Sequence, residues 1–334
     1  MKARAIIAVL AMVVAAVALV SCSSQRPPDP AAPLDGPAAP LDGPAAPLDG
    51  PAAPLAGPSV PPGSDFTAWF IDVGRADSAL VVCDGHAMLI DGGNPCDSDR
   101  IYSFLESRGI GYLDYIVATH AHDDHVGGLP GALNYANAGT ALSPVDDADL
   151  KSFGSFVKYL DKQGVKITIP AAGEEYPLGA STIKILGPVN DSENTNNTSI
   201  VLRIVYGKTS FLFTGDAGRE EEADILEMGY DLESTVLKVG HHGSNTSTTY
   251  PFLREVMPAY AVISVNEDNP YGHPDDNVLS RLRDAGAAVF RTDRHGTVTC
   301  VSDGEAVSFT TENGIAPLTG PQILAGTVPF CPKR

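Results

Sequence analysis

Three short segments concentrate the residue types that bind metal ions. The densest runs from position 119 to 125, Thr-His-Ala-His-Asp-Asp-His, and holds three histidines and two aspartates. Histidines two apart on extended backbone point to the same side, whereas Asp124 and His125 turn with the chain into the next segment. One loop can therefore offer His120 and His122 to one divalent ion, and Asp124 with His125 to a second ion about 3.5 Å away.

The other two segments each end an apolar stretch. Residues 211–214 lead into Gly215 and Asp216, and residues 237–240 lead into His241 and His242. An aspartate after a glycine is commonly a turn former or a helix cap, so Asp216 is weak evidence by itself. Two adjacent imidazoles at a strand end are not explained by packing. Together the segments predict a site for two divalent metal ions, with zinc preferred and manganese as the alternative.

A succession of strands and helices between residues 66 and 309 must position these segments. Three β-rich runs separated by Gly and Asp turns, at 66–73, 78–82 and 87–90, predict an antiparallel meander at the start. The runs at 288–291 and 297–301 predict a hairpin at the end. Between them, strands alternate with helices, and two packed sheets flanked by helices would bury this pattern.

The N-terminal 64 residues are predicted to lie outside this fold. Lys2 and Arg4 precede a 15-residue apolar run that is too short for a membrane span and is typical of an export signal. The next residues, Leu-Val-Ser-Cys at 19–22, resemble a bacterial lipobox. We therefore expect residues 1–21 to be a signal peptide and Cys22 to carry the lipid that anchors the protein to the extracytoplasmic side of the bacterial membrane. An ordinary secretory signal is the alternative.

Residues 22–64 are predicted to be a spacer. A seven-residue Pro-Ala-Ala-Pro-Leu-Asp-Gly unit recurs from Pro37, and 13 of the 27 prolines lie between positions 27 and 63. Proline at this density prevents helices and sheet ladders and favours an extended, polyproline-like chain. A recognition tract for proline-binding modules is the alternative. The domain with the three segments is then expected at 65–312, followed by a tail at 313–334.

The charge of the chain limits its partners. Lys and Arg number 22 against 41 Asp and Glu, a net charge of -19. The first 64 residues carry 3 basic and 4 acidic residues, so the remainder holds -18. No overall positive field attracts a phosphate backbone, and duplex DNA binding would need a local basic groove or metal ions. No apolar run reaches the roughly 20 residues of a bilayer-spanning helix, which excludes a multi-span transporter.

Four cysteines remain once Cys22 is assigned to lipid: Cys83, Cys96, Cys300 and Cys331. An even number in an exported domain predicts disulfides. We favour Cys83 with Cys96 and Cys300 with Cys331, because each bond closes a short loop. A four-thiolate zinc site is the alternative, but no Cys-x-x-Cys spacing supports it.

The three segments together resemble the metallo-β-lactamase fold superfamily, in which a His-x-His-x-Asp-His loop, a later strand-end Asp and a later strand-end His build a two-metal site. Within it, the chain is similar to the hydrolase domain of the ComEC/Rec2 competence proteins over about 240 residues, 66–309. Further stretches in that group's order are residues 70–74, 89–93 and 271–274. The resemblance implies an α+β fold, an αββα sandwich of two packed mixed sheets flanked by helices.

The resemblance also implies roles for single residues. His120 and His122 would hold one metal, and Asp124, His125 and one of the adjacent histidines the other. Asp216 would bridge both ions. We favour His241 over His242, because it stands first after its strand.

The same resemblance suggests further roles around these ligands. A water shared by two metals loses a proton near neutral pH and can attack phosphorus or carbonyl carbon, with Asp124 accepting the proton. His273 would orient substrate or protonate a leaving group, or be a simple loop residue. Asp72 and Asp91 fit supporting or turn positions better than ligand positions.

Three departures from the group are visible. Arg75 and Ala76 stand where relatives usually have Gln-Gly. Asp123 stands where a small residue is common, which predicts an extra carboxylate near the metals. The stretch 194–199 offers asparagines where many superfamily members have a third histidine for the first metal.

These features favour a metal-dependent phosphodiesterase or nuclease whose substrate is a small phosphodiester or nucleic acid. A lactonase or β-lactamase is the alternative, and a tethered, non-catalytic metal-binding module is a third possibility. The membrane is the other expected partner, through Cys22, and no protein partner is implied.

Overall fold

The computed structural model describes residues 65–324, whose strands form two mixed sheets. The strands of the first sheet are β1 (Phe66–Phe70), β2 (Ala79–Cys83), β3 (His86–Ile90), β4 (Tyr112–Val117), β5 (Asn137–Leu142), β6 (Ile167–Thr168), β14 (Val298–Ser302) and β15 (Val307–Thr311). Their order is β15-β14-β1-β2-β3-β4-β5-β6. Pairing is antiparallel from β15 to β3 and parallel from β3 to β6.

The second sheet repeats this division. Its strands are β7 (Glu175–Leu178), β8 (Ser181–Gly187), β9 (Val201–Tyr206), β10 (Thr209–Phe213), β11 (Val236–Lys238), β12 (Tyr260–Ile263) and β13 (Ala288–Arg291). The order is β13-β12-β11-β10-β9-β8-β7, parallel from β13 to β10 and antiparallel from β10 to β7. Each sheet therefore has a parallel part, and the carboxyl ends of parallel strands are where α/β folds commonly place their sites.

Helices cover the outer face of each sheet. The helices are α1 (Ser98–Glu106), α2 (Asp123–Val126), α3 (Leu129–Tyr135), α4 (Lys151–Gln163), α5 (Arg219–Glu227), α6 (Tyr250–Val256), α7 (Asp276–Asp284) and α8 (Thr292–His295). One buried apolar cluster joins α1, α3 and α4 to the first sheet, and another joins α5, α6 and α7 to the second. A third cluster lies between the sheets, where Phe66 stacks on Phe211 with ring centroids 4.5 Å apart. The predicted αββα sandwich is confirmed.

The opening meander is confirmed as β1, β2 and β3, but the closing hairpin is wrong. Strand β13 pairs with β12 in the second sheet, and β14 pairs with β1 in the first. Helix α8 and Gly296 carry the chain from one sheet to the other. Both runs have a strand-like pattern. That pattern does not predict which strand each of them pairs with.

The predicted bond between Cys83 and Cys96 is a second error, since both are free thiols. Cys83 ends β2 beside the turn into β3, and Cys96 lies beyond the opposite end of β3, so the length of that strand separates them. Cys300 is also a free thiol, buried in β14. Its predicted partner Cys331 lies outside the described residues.

Residues 313–324, predicted as part of a tail, continue the fold. Leu318 forms an antiparallel bridge with Val289, and Leu318 and Ile323 are buried in the cluster under the second sheet's helices. Within residues 65–324, no helix is long and apolar enough to cross a membrane. The predicted signal peptide, Cys22 and the repeat spacer lie outside the described residues.

Candidate metal centre

The three ligand-rich segments meet where the parallel strands of both sheets end. His120, His122, Asp124 and His125 follow β4 and run into α2. Asp216 follows β10, and His241 and His242 follow β11. Because β10 and β11 pair in parallel, with Phe213 opposite Lys238, the residues after each strand emerge at one edge of the second sheet. Sheet packing brings this edge against the loop after β4.

Three groups of possible ligand atoms form there, and the third consists of His125 with its supporting carboxylates, Asp77 and Asp91. The ligand atoms of His120, His122 and Asp216 all lie within 4.8 Å of one another, and so do those of Asp124, His125 and His242. Asp216 belongs to the first group and also lies close to the second. Its Oδ2 is 3.9 Å from His120 Nε2, and its Oδ1 is 3.4 Å from His125 Nε2. This is the position that a bridging carboxylate requires.

The donor set fits two divalent ions. Three buried atoms that point into the site, His125 Nε2, His242 Nε2 and Asp216 Oδ1, have no hydrogen-bond partner among the described residues. Buried polar atoms without partners are costly unless something else binds them. His242 Nε2 lies 3.6 Å from Asp124 Oδ2. Such separations suit ligands that share an ion through bonds of about 2.0–2.2 Å, and imidazole with carboxylate suits zinc or manganese.

The adjacent histidines diverge because both have left-handed backbone angles, with φ of 49° at His241 and 54° at His242. Residues other than glycine seldom adopt this conformation. His242 is buried beside Asp124, whereas His241 is partly exposed with its Nε2 3.6 Å from Asp216 Oδ2, the oxygen that faces His120. The geometry thus places His242, not the favoured His241, in the second group. His241 stands near the first group, where stretch 194–199 supplies no histidine.

Buried carboxylates orient two of the imidazoles. Asp91 Oδ2 lies 2.8 Å from His125 Nδ1, and Asp91 also accepts hydrogen bonds from the backbone and hydroxyl of Thr119. Asp77 Oδ1 lies 3.3 Å from His242 Nδ1, which also contacts the Ser264 carbonyl at 3.1 Å. Carboxylates in these positions fix ring orientation and the nitrogen that faces a metal. Asp91 therefore has the supporting position expected of it.

Sequence reasoning missed the partner of Asp77. Lys238, in the buried strand β11, donates a hydrogen bond of 2.7 Å to Asp77 Oδ2, and both side chains are buried. Charged groups are almost never fully buried unless paired. A lysine within the apolar run 236–239 was the available signal, but its partner lies 161 positions away.

Two other predicted positions lie away from the ligands. Asp123 does not add a carboxylate to the metals, because its Oδ1 accepts the Ser152 hydroxyl at 2.5 Å and so ties the loop to α4. Asp72 accepts the Gly74 N–H and lies 4.0 Å from Arg100. The extra-carboxylate prediction is therefore wrong, and Asp72 is a turn residue.

The carboxylates of the site raise the pKa values of two of its imidazoles, whereas burial lowers that of a third. Burial and the nearby His125 keep the pKa of His120 well below its ordinary value. Burial also lowers the pKa values of His125 and His242, but nearby carboxylates outweigh it. Asp216 and Asp91 raise the pKa of His125, and Asp216 and Asp77 raise that of His242 to about 10. The carboxylates thus stabilise cationic rings or bound cations, and metal binding must displace protons.

His273 lies at the edge of the site. Its ring centroid is 5.8 Å from that of His241, and its Nδ1 is buried without a hydrogen-bond partner among residues 65–324. The Asn269 side chain holds the backbone N–H and carbonyl of His273. Burial, with the neighbouring His241 and His242, lowers the pKa of His273 to about 4. A neutral ring here suits orientation of a substrate, and its catalytic role stays a prediction.

Comparisons with known proteins agree with this geometry. The family model described as "Metallo-beta-lactamase superfamily" matches residues 71–265. ComE operon protein 3 of Bacillus subtilis is 29% identical over 68% of this chain and 32% of its own length. Competence protein ComA of Neisseria gonorrhoeae is 32% identical over 70% of this chain and 31% of its own length. This chain thus spans about a third of the curated relatives it matches.

Solved structures show lower similarity. The metallo-beta-lactamase fold protein YhfI from Bacillus subtilis aligns over 73% of this chain and 100% of its own, with a TM-score of 0.48 and 13% identity. The family model covers more than half of this chain, including the loop after β4 and all three ligand-rich segments. Its curated relatives include proteins of the ComEC-type competence group, and the chain belongs to the metallo-beta-lactamase superfamily.

Proposed function

We propose that this metal-dependent hydrolase is a phosphodiesterase of the nuclease type that acts outside the cytoplasm while tethered through Cys22. The observation that carries the catalytic part is the position of Asp216, one oxygen of which faces His120 and the other His125. A carboxylate shared by two ligand groups suits a pair of ions about 3.5–4 Å apart, an arrangement typical of phosphatases and nucleases.

Each side chain of the site has a separate task in this proposal. When bound, two divalent ions, zinc or manganese, would supply an activated water and positive charge opposite the developing negative charge. Asp124 keeps its charge, because His242 and His125 outweigh burial and lower its pKa. It is also more exposed than the buried Asp216, and we assign to it the role of general base for the attacking water. His273 orients the leaving group.

The relatives support a phosphodiester substrate. Two of them are named competence protein and recombination protein, and each matches about 70% of this chain. The net charge of -18 over residues 65–334 favours a small or single-stranded substrate over duplex DNA. Screening by salt should then speed cleavage of a long duplex, whereas a basic-groove nuclease would lose affinity.

The experiment compares three substrates. Full-length protein, solubilised in detergent and loaded with zinc or manganese, is assayed on bis(p-nitrophenyl) phosphate, a short single-stranded DNA and nitrocefin. We expect hydrolysis of the first two, loss of both in His122→Ala, and retention in His86→Ala, which removes the exposed histidine that begins β3. Nitrocefin hydrolysis without phosphodiester hydrolysis would identify the lactamase alternative, and inactivity on all three would contradict the proposal.

Tethering has its own test. Cys22→Ala should abolish incorporation of labelled palmitate and either release the protein from membranes or leave its precursor uncleaved. Cys96→Ala, which removes an exposed cysteine of the domain, is the matched control and should label normally. Unchanged labelling of Cys22→Ala would place the anchor elsewhere or rule it out.

A further inference from the structure

The rim of the cleft beside His273 carries an arginine over an aromatic ring. The guanidinium carbon of Arg75 lies 4.7 Å from the ring centroid of Tyr271, whose side chain is exposed. The loops that carry them lie against each other. A Cβ atom placed on Gly74, the residue before Arg75, would be 3.8 Å from the Nδ2 atom of Asn266, in the loop that leads to Tyr271. Such cation–π contacts hold a guanidinium in place without using its N–H donors.

Within residues 65–324, no residue occupies those donors. Arg75 forms no ion pair and no hydrogen bond with any other residue in the described part of the chain, 65–324. Two acidic side chains of the neighbouring turns have other partners: Asp72 accepts the Gly74 N–H and lies 4.0 Å from Arg100, and Asp97 accepts the Asn94 N–H. In a domain with a net charge of -18, an unpaired arginine at the cleft is an attractive position for an anion.

A continuous row of rings connects Arg75 to the metal centre. Tyr271 stacks on His273 with centroids 5.8 Å apart and planes inclined by 29°. His273 lies 5.8 Å from His241, whose Nε2 is 3.6 Å from Asp216 Oδ2. A substrate that extends from the metals along this row reaches the guanidinium.

A cavity of about 310 Å³ adjoins the arginine. Arg75, Asn94, Asn266 and Asn269 contribute polar side chains to its lining, and the carboxylates of Asp97 and Asp268 also line it. The carboxylates make the cavity itself a poor anion pocket. The anion-binding group is therefore the edge of the Arg75 guanidinium, whose N–H donors lie in its plane and are left uncovered by the stacking on Tyr271.

We propose that Arg75 binds a second phosphate group of the substrate, one that is not attacked. This rests on the proposed phosphodiesterase function and narrows it to substrates with at least two phosphates, such as short single-stranded oligonucleotides. Arginine suits this task because its planar N–H donors match phosphate oxygens and form charge-assisted hydrogen bonds. Arg75 is a specificity-determining residue and takes no part in bond cleavage.

The kinetic test uses Arg75→Gln with two substrates. For a 5′-phosphorylated thymidine tetranucleotide, which is long enough to follow the row of rings, KM should rise about tenfold or more at unchanged kcat, the size expected for loss of a charge-assisted hydrogen bond. For bis(p-nitrophenyl) phosphate, which has one phosphate, KM should not change. Arg108→Gln is the matched control, because Arg108 also stacks on an aromatic ring, that of Phe104, outside the site. Equal KM changes for both substrates, or none for either, would overturn the proposal.

A binding measurement separates this proposal from the proposed function. Calorimetric titration of the full chain with the phosphorothioate analogue of this tetranucleotide, which resists cleavage, needs no turnover. The dissociation constant should rise about tenfold in Arg75→Gln and in Tyr271→Leu, but not in Tyr271→Phe, which keeps the ring. Wild-type affinity in Arg75→Gln would refute the role of Arg75 whether or not the enzyme cleaves phosphodiesters. An inactive wild-type enzyme that still shows this loss would refute only the proposed function.

Discussion

The two sheets supply the metal centre in different ways. The first contributes four ligand candidates from one loop, His120 to His125, directly after β4. The second contributes Asp216 after β10 and His242 after β11, which meet only because those strands pair in parallel. The first half of the site is therefore a property of six consecutive residues, whereas the second depends on the register of a sheet.

Support for the ligands differs in the same way. In the first half, Asp91 at the end of β3 holds His125 and Thr119 at the end of the neighbouring parallel strand. In the second half, His242 depends on Asp77, which comes from the first sheet and is paired with Lys238 of the second. The second half is thus stabilised across the interface between the sheets, and substitutions there should affect folding as well as metal binding.

The largest effect should come from removing one ligand on either side. His120→Ala and His242→Ala should each lower hydrolysis about a thousandfold or more, since each leaves a ligand group incomplete. Assay of the phosphodiester found active, together with metal content by mass spectrometry, makes the measurement. Nearly wild-type rates in either variant would remove that histidine from the site.

Next in size is the buried pair beneath His242. Asp77→Asn should lower the free energy of unfolding by about 3–5 kcal/mol, because it leaves the Lys238 ammonium buried without its counter-ion. Asp91→Asn should cost less, because its buried partner His125 gives up a proton more readily than the Lys238 ammonium does. Chemical denaturation of both variants, and of Asp77→Asn with Lys238→Met, makes the comparison. If the double variant is no more stable than Asp77→Asn, the ion pair does not explain the loss.

The segment after His242 has a pH-sensitive support. Glu222 is buried and accepts the backbone N–H groups of Thr248 and Thr249, the latter at 2.8 Å. Burial raises the pKa of Glu222 from 4.5 to about 7. The folded state therefore favours the protonated form of Glu222. The resulting stabilisation of the folded state is fully present below pH 4.5 and is lost as pH rises through about 7.

Substitution of Glu222 tests this. Glu222→Gln should remove a pH dependence of about 3 kcal/mol between pH 5 and 8, measured by urea unfolding. Glu227→Gln, on the exposed side of α5, is the control and should leave the dependence intact. If the free energy of unfolding of Glu222→Gln depended on pH as strongly as that of the wild type, other groups would be responsible for the dependence.

The smallest effect belongs to the first half. Asp123→Ala should change activity less than twofold and stability by about 1 kcal/mol, because Asp123 contacts Ser152 and not the ligands. Steady-state kinetics and thermal unfolding measure both. A large fall in kcat would contradict this and would indicate that Asp123 acts at the metal site.

The sequence could predict whatever is local. Residues 119–125 carry the ligand spacing in themselves, and the opening meander is predictable from alternation and turn residues. The partner of β14, the Asp77–Lys238 pair and the separation of Cys83 from Cys96 depend on contacts between distant segments, which no local pattern records. The position of His242 beside Asp124, with the favoured His241 nearer the first group, goes with left-handed backbone at both positions, which no local pattern records either.

The central claim is that Asp216 joins two metal groups, and metal stoichiometry tests it most directly. Purified full-length protein should bind two divalent ions per chain, and Asp216→Ala should bind neither tightly while keeping its circular dichroism spectrum. Loss of hydrolysis should accompany the loss of both ions. Two tightly bound ions and a wild-type rate in Asp216→Ala would contradict the account.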